Sequence, residues 1–530
     1  MELVIVNARI WTPNRPHEYA QALCVRDGRF EMIGSNEEIG KKAAATSEVI
    51  DAQGRLVVPG FNDAHAHFME GGYSLREVDL RDATDEQDFV QRLKSYAGTL
   101  PEGAWITGGY WDHERWPSKK LPTKELVDAA VAEHPVYVVR LDWHIGVANS
   151  LALRLAHITE ETPDPPGGKI DRDENSGEPT GILRDEAYQL IKAAMPPPDR
   201  EHQRMAARLA THHAAQMGVT SVQGECAADD MAVLADMALN GELKTRLSLW
   251  HPVQKYQDID ELASSDLRNT EFFRTGTAKL FADGSFGADT ALLFEPYNHS
   301  PGNKGLMIHP ADELARLVQR LDELGIQMAI HAIGDRAVRM VLDALHSFAT
   351  TNGSNKLRHR FEHAQMVRDE DLPLFCQTGA VASVQPAHCI DDMRWIGKKL
   401  GARTHRTYRL NSFLQNGIPV AIGTDWTVEP LDPMLTLYAA VTRELPQGGP
   451  AGGWHPQERI SAKKAVGLYT YGSAFAEHME HQKGLIEPGF LADFVILSKN
   501  IFEIPPHEIL STQVDCTVVA GKIVYRASGF

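Results

Sequence analysis

Hydrophobic and polar positions follow three different rhythms along this chain. In the first sixty residues, short alternating runs break at tight turns. Ala22-Leu23-Cys24-Val25 and Arg29-Phe30-Glu31-Met32-Ile33 flank Asp27-Gly28, a pair whose tolerance of positive φ predicts a hairpin. Glu48-Val49-Ile50 and Leu56-Val57-Val58 flank another turn at Gly54. The last fifty residues are similar: Ala492–Leu497 predicts a strand, and Val518-Val519 and Ile523-Val524-Tyr525 bracket Gly521-Lys522. Neither end has enough apolar positions to bury a face alone. Residues 1–58 and 479–530 are therefore expected to pair into one small β-sandwich.

Between the ends, apolar runs alternate with amphipathic helical stretches, the rhythm of a parallel α/β fold. The predicted strands are Leu56–Phe61, Val219–Gln223, Arg246–Trp250, Ala278–Phe281, Gln327–Ile330, Arg360–Phe361, Ala380–Val384 and Pro419–Ile422. Eight such units close a TIM (β/α)8 barrel, and barrel chemistry gathers at the C-terminal ends of the strands. Glu313–Leu324 is one of the predicted helices, stopped by Gly325. The interval 73–198 is too long for one βα connection. It has its own helix (Glu86–Leu100), its own strand (Val136–Arg140) and a loop rich in proline and glycine (Thr162–Gly181). It reads as an α/β subdomain inserted after the first barrel strand, leaving 59–72 and 199–478 for the barrel.

Composition narrows the function. The formal charge of −18 argues against a nucleic-acid surface and against adhesion to anionic lipid. Cys24, Cys226, Cys376, Cys389 and Cys516 lie far apart with no CxxC pair, which fits reduced thiols better than a disulfide framework. The first residues lack a basic stretch followed by a long apolar one, and no run is long enough to span a membrane. The expectation is a cytoplasmic protein acting on a small molecule, with no nucleic-acid or membrane partner and with homo-oligomer formation left open.

Candidate chemistry sits where the barrel strands end. His65-Ala66-His67 follows the first: residues two apart on an extended chain face the same way, so both imidazoles can reach one cation. Lys279 lies within an apolar strand, His331 and His363 end two more, and Asp425 follows the last. Singly, each has an ordinary explanation: loop histidines, satisfied core histidines, a buried ion-pair partner, a helix cap. Together and in this order they suit two divalent cations, zinc above all, with His65, His67 and Asp425 around one and His331 and His363 around the other. A neutral Lys279 can react with carbon dioxide to give a carbamate, the bridging anion such a pair needs. The expected reaction is attack by a metal-bridged hydroxide on a carbonyl, with Asp425 carrying the proton to the leaving nitrogen.

In that order, His65-x-His67, Lys279, His331, His363 and Asp425 resemble the amidohydrolase superfamily. Gly109–Asp112, Arg140–His144, Thr180–Leu183, Lys279–Gly287, His331–Asp335, Ser383–Pro386 and Gly423–Trp426 resemble its YtcJ-like branch, which includes N-substituted formamide deformylases. The resemblance runs over essentially the whole chain. It implies a binuclear site, an N6-carboxylated Lys279 and hydrolysis of a non-peptide C–N bond in an amide, N-substituted formamide or carbamate-like substrate.

Trp111, His144, Phe286, His388 and Trp426 lie beside these motifs and are candidates for substrate contact; Asp63 is a candidate support for the histidines. Asp283 and Asp335 could be turn or cap residues. A GxSxG elbow is missing, since Asp283–Gly287 lacks the first glycine, and no Walker or dinucleotide loop occurs. The alternatives that stay open are a deaminase or an ester or lactone hydrolase on the same metals, and a catalytically silent scaffold.

Overall fold

Eight parallel strands form one sheet in sequence order: β1 (Phe61–Asp63), β2 (Val219–Glu225), β3 (Arg246–Pro252), β4 (Phe273–Phe281), β5 (Met328–Ala332), β6 (Arg360–His363), β7 (Val381–Val384) and β8 (Val420–Ile422). The computed structural model describes residues 3–41, 47–264, 269–352 and 356–530. The two edges meet, because Ala64 N–H donates to Ile422 O at 3.0 Å and Asp425 N–H to His65 O at 2.6 Å. The sheet is thus a TIM barrel. Its strands are covered on both faces, and β5, β6 and β8 are buried along their whole length.

Helices supply the outer cover. In Ala311–Glu323, Leu314, Leu317, Val318 and Leu321 fall at helical spacing and are buried in the barrel core. Burying each such side chain stabilises the fold by about 1.5–3 kcal/mol. Gly325, at φ 71, turns the chain away at the helix end.

The expected first strand divides in two. Leu56–Pro59 belongs to the sandwich, pairing with Arg9–Trp11 and Phe494–Leu497, and only Phe61–Asp63 enters the barrel. The break falls at Gly60, where a β-carbon would meet the Thr220 side chain at 2.2 Å. One apolar run therefore serves two sheets.

The sandwich combines both chain ends. Leu3–Val6, Ala22–Arg26, Arg29–Gly34 and Glu48–Asp51 form a four-stranded sheet. Leu56–Pro59, Arg9–Trp11, Tyr19–Ala20, Phe494–Leu497, Val514–Val519 and Lys522–Arg526 form a six-stranded one. Ile5, Leu23, Phe30, Val57, Phe494 and Val518 share its core.

After β1 the chain builds a separate six-stranded sheet from Val78–Asp79, Gly108–Trp111, Tyr137–Arg140, Ile145–Ala148, Gly168–Arg172 and Pro179–Asp185. The last two correct an expectation: much of the proline- and glycine-rich stretch predicted as a loop is an antiparallel hairpin. Its proline is tolerated at the first position of a strand, where no ladder hydrogen bond is lost. Helix Glu86–Ala97 is capped by Asp85, which accepts from Asp88 N–H at 2.8 Å, and buries Phe89 and Leu93. The subdomain is anchored over the barrel mouth: Arg140 pairs with Asp142 at 2.6 Å, and Asp142 accepts from the Ser285 hydroxyl beyond β4 at 2.8 Å. Among the described residues no helix is long and apolar enough to cross a membrane.

Candidate metal centre

The barrel brings its strand-end side chains to one place. Asp425 lies just beyond β8 at φ 61, and His363 ends β6 at φ 75, both in the left-handed region that a non-glycine residue seldom occupies. Such backbone conformations concentrate where surrounding structure fixes a functional side chain. One Asp425 oxygen, Oδ1, stands 3.1 Å from His67 Nε2 and 3.5 Å from His65 Nε2. The other, Oδ2, stands 3.8 Å from His363 Nδ1 and 3.7 Å from His388 Nε2. Asp425 is therefore shared by two groups of donor atoms, His65–His67–Asp425 and His363–His388–Asp425.

These donors fit a cation. His65 Nε2, His388 Nε2 and Asp425 Oδ1 are enclosed, yet none makes a hydrogen bond. Leaving such groups unmet is costly unless something binds them. Ligands about 2.0–2.2 Å from a tetrahedral cation stand roughly 3.3–3.6 Å apart, close to the spacing around Oδ1. Burial lowers the His65 imidazole to about 4 and holds His363 well below its ordinary value, so both are neutral at pH 7, the form that binds a metal. Burial opposes charge on Asp425 as well, but His65, His67 and His363 hold its carboxyl well below the usual range.

A second layer aims the imidazoles. His65 Nδ1–H donates to Glu362 Oε2 at 2.5 Å, which leaves Nε2 for Asp425. Glu362 is itself held by Arg360, two positions earlier on the same face of β6, at 2.7 Å. Gln385 Oε1 lies 3.0 Å from His363 Nδ1, and Gln365 Nε2 lies 3.2 Å from His388 Nδ1. Asp63 accepts from the N–H groups of His65 (3.2 Å) and Thr424 (3.0 Å) and from the Tyr469 hydroxyl (2.8 Å), pinning β1 to the loop after β8.

Lys279 is buried in β4 with its ammonium near the rings of Phe281 (4.8 Å) and Trp250 (5.7 Å). The ammonium itself makes no hydrogen bond or ion pair among the described residues. Burial pulls it below the ordinary lysine value, against the charges of Glu225, Glu362 and Asp425.

His331 does not join either donor group. Its ring lies 4.5 Å from that of His363, but its Nε2–H donates to Gly284 O at 3.1 Å, and His388 stands with His363 instead. His388, expected as a candidate for substrate contact, is thus the imidazole grouped with His363 and Asp425, while the His331 ring stands beside that of His363. His144 reaches over from the inserted sheet. Its Nδ1 bonds Asp185 at 2.6 Å, and its ring lies 5.8 Å from that of His331.

Three aromatic candidates face elsewhere. Trp111 is wholly buried in the core of the inserted sheet, its Nε1–H donated to Val138 O at 3.0 Å. Phe286 is buried in a cluster with Ile333, Met366 and Trp395. Trp426 is buried in the main core, packed against Gly71 and His213. Asp283 braces a turn by accepting from Leu292, Ile333 and Gly334 N–H groups, and Asp335 accepts from Phe294 N–H. Glu362, Arg360, Gln365 and Gln385 were not singled out in the sequence, although the i, i+2 spacing of Arg360 and Glu362 beside His363 is a legible signal.

Residues 48–525 match the model of the amidohydrolase family. The chain is 34% identical to Protein LONG AFTER FAR-RED 3 of Arabidopsis thaliana over 99% of its length and 91% of that protein. It is 32% identical to the putative amidohydrolase YtcJ of Bacillus subtilis over 98% of each chain. It is 27% identical to an N-substituted formamide deformylase of Arthrobacter pascens over 100% of this chain and 99% of the other. Among solved structures, an uncharacterized metal-dependent hydrolase from Pyrococcus horikoshii superimposes with a TM-score of 0.78 at 28% identity, covering 96% of this chain and 99% of that one.

Proposed function

This chain belongs to the amidohydrolase family of metal-dependent hydrolases, and on that basis we infer that it hydrolyses a non-peptide C–N bond, in an amide, N-substituted formamide or carbamate-like substrate, with Asp425 as proton carrier. The observation that carries the reading is the placement of Asp425 between two pairs of imidazoles, one carboxylate oxygen toward each.

His65, His67 and Asp425 would hold one divalent cation, zinc by donor type, and His363, His388 and Asp425 a second, and a carboxylated Lys279 would supply the further anionic charge such a pair needs. Bound there, divalent cations polarise a carbonyl oxygen and bring the pKa of a coordinated water to about 7. The remaining work falls to the side chains. Asp425, ionised at neutral pH, accepts the proton shed as water adds to the carbonyl carbon and passes it to the departing nitrogen, so that the amine leaves neutral. Glu362 keeps the His65 ring in the tautomer that exposes Nε2. The inserted subdomain covers the mouth and limits water access, with His144 held toward the substrate side by Asp185.

The deformylase likeness at 27% identity supports formamides as the first substrates to try. A screen of N-formyl, N-acyl and carbamate compounds, with ester and amidine controls and Asp425→Asn as the blank, tests the assignment. Turnover confined to C–N acyl substrates is expected. Turnover of the ester or amidine controls alone would refute it.

A further inference from the structure

Among the described residues four arginines are almost fully buried: Arg140, Arg246, Arg360 and Arg443, none more than 3% exposed. Three of them have a carboxylate against the guanidinium: Arg140 with Asp142 at 2.6 Å, Arg246 with Asp493 at 2.7 Å and Arg360 with Glu362 at 2.7 Å. Arg443 has no carboxylate within ion-pair distance among the described residues. Its Nε donates to Trp454 O at 2.6 Å and its Nη1 to Tyr408 O at 3.0 Å, while Nη2 is enclosed and bonds no protein atom. Buried charge is costly unless paired, and the other three buried arginines are paired.

Arg443 borders a small cavity of about 20 Å³, whose polar wall also includes His363, Gln365, Gln385, Cys389 and Tyr408. That is room for one small group. The wall supplies no negative charge. Cys389 is a free, buried cysteine packed in the cluster that includes Phe286, Met366 and Trp395. The Tyr408 hydroxyl is donated to Asp392. Glu458, farther along the chain, spends its oxygens on Ser412 N–H (2.8 Å) and the Ser412 hydroxyl (2.5 Å). Meanwhile Gln365 and Gln385 connect the cavity directly to His388 and His363.

We propose that this cavity binds a small monovalent anion, of halide or formate size, against Arg443 Nη2. A water molecule could accept the hydrogen bond but would bring no counter-charge into contact with the guanidinium; the anion does both. Bound there, it holds the guanidinium, and through Gln365 and Gln385 it steadies the two imidazoles that face Asp425 Oδ2. The site requires no particular reaction at the metal centre, so it stands or falls apart from the substrate assignment.

The test uses the purified holoenzyme exchanged into gluconate, an anion too large for the cavity. Tm is measured as chloride, bromide or formate replaces gluconate at constant ionic strength. A saturable rise of about 2 °C is expected. A response to the halides identifies an inorganic ion, and a response to formate alone a carboxylate. In bromide-soaked crystals an anomalous peak beside Nη2 is expected in the halide case. Arg443→Gln should abolish the response. Cys389→Asp, which puts a carboxylate into the cavity and keeps the arginine, should fold and be indifferent to the added anion. No Tm response to any of the three anions, or a wild-type response retained in Cys389→Asp, overturns the proposal.

Discussion

His65 and Glu362 meet through a 2.5 Å hydrogen bond that runs from the end of the first barrel strand to the sixth. Because it occupies Nδ1, it decides which nitrogen of His65 is left for a cation. Arg360 anchors the same carboxylate at 2.7 Å, and burial notwithstanding, Arg360 and His65 hold Glu362 far below the usual carboxylate range. Glu362→Gln should therefore fold but retain metal poorly, with affinity falling about 10- to 100-fold. Competition with a chelator, read by metal analysis, checks this; unchanged affinity would remove Glu362 from the account.

Lys279 lies in the barrel with no counter-charge in contact among the described residues, which is the setting for a carbamate. Lys279→Ala should lose one of two cations and most activity, and short carboxylic acids added to the variant should restore part of both. Full metal occupancy in Lys279→Ala without added acid would contradict a bridging role.

The inserted subdomain contributes His144, fixed by Asp185 at 2.6 Å and set beside His331. His144→Asn should keep its metal and its Tm while kcat/KM falls about tenfold or more, the worth of one hydrogen bond to a developing charge. Wild-type kinetics would make the residue a structural tether only.

Asp425→Asn removes the proton carrier while preserving the shape of the side chain. The variant should fold normally and lose about 10²–10⁴-fold in kcat. Stopped assays on the substrate found by screening, alongside circular dichroism, provide the check.

Much of this was legible along the chain because barrel strands buried on both faces appear as apolar runs, and the residue that ends each run points into the mouth. His65, His67, His331, His363 and Asp425 stood out at or just past such ends, and Lys279 as a charged residue within an apolar run. What the runs conceal is side-chain rotation. Whether His331 or His388 stands with His363 depends on Gly284 O engaging the first and Gln365 orienting the second, contacts 47 and 23 residues away. Nor does proximity to a motif reveal a side chain's surroundings: Trp111, Phe286 and Trp426 are buried in core clusters. Proline and glycine disguised the hairpin Gly168–Arg172 with Pro179–Asp185, and one apolar run at residues 56–61 disguised the border between sandwich and barrel.

The central claim is that Asp425 and the histidines around it hold divalent cations on which catalysis depends. Metal analysis of the purified protein, followed through chelation and reloading with activity read in parallel, tests it most directly. The account predicts up to two zinc-like ions per chain, activity lost as they are withdrawn and recovered as they return. Protein free of metal and fully active would contradict it.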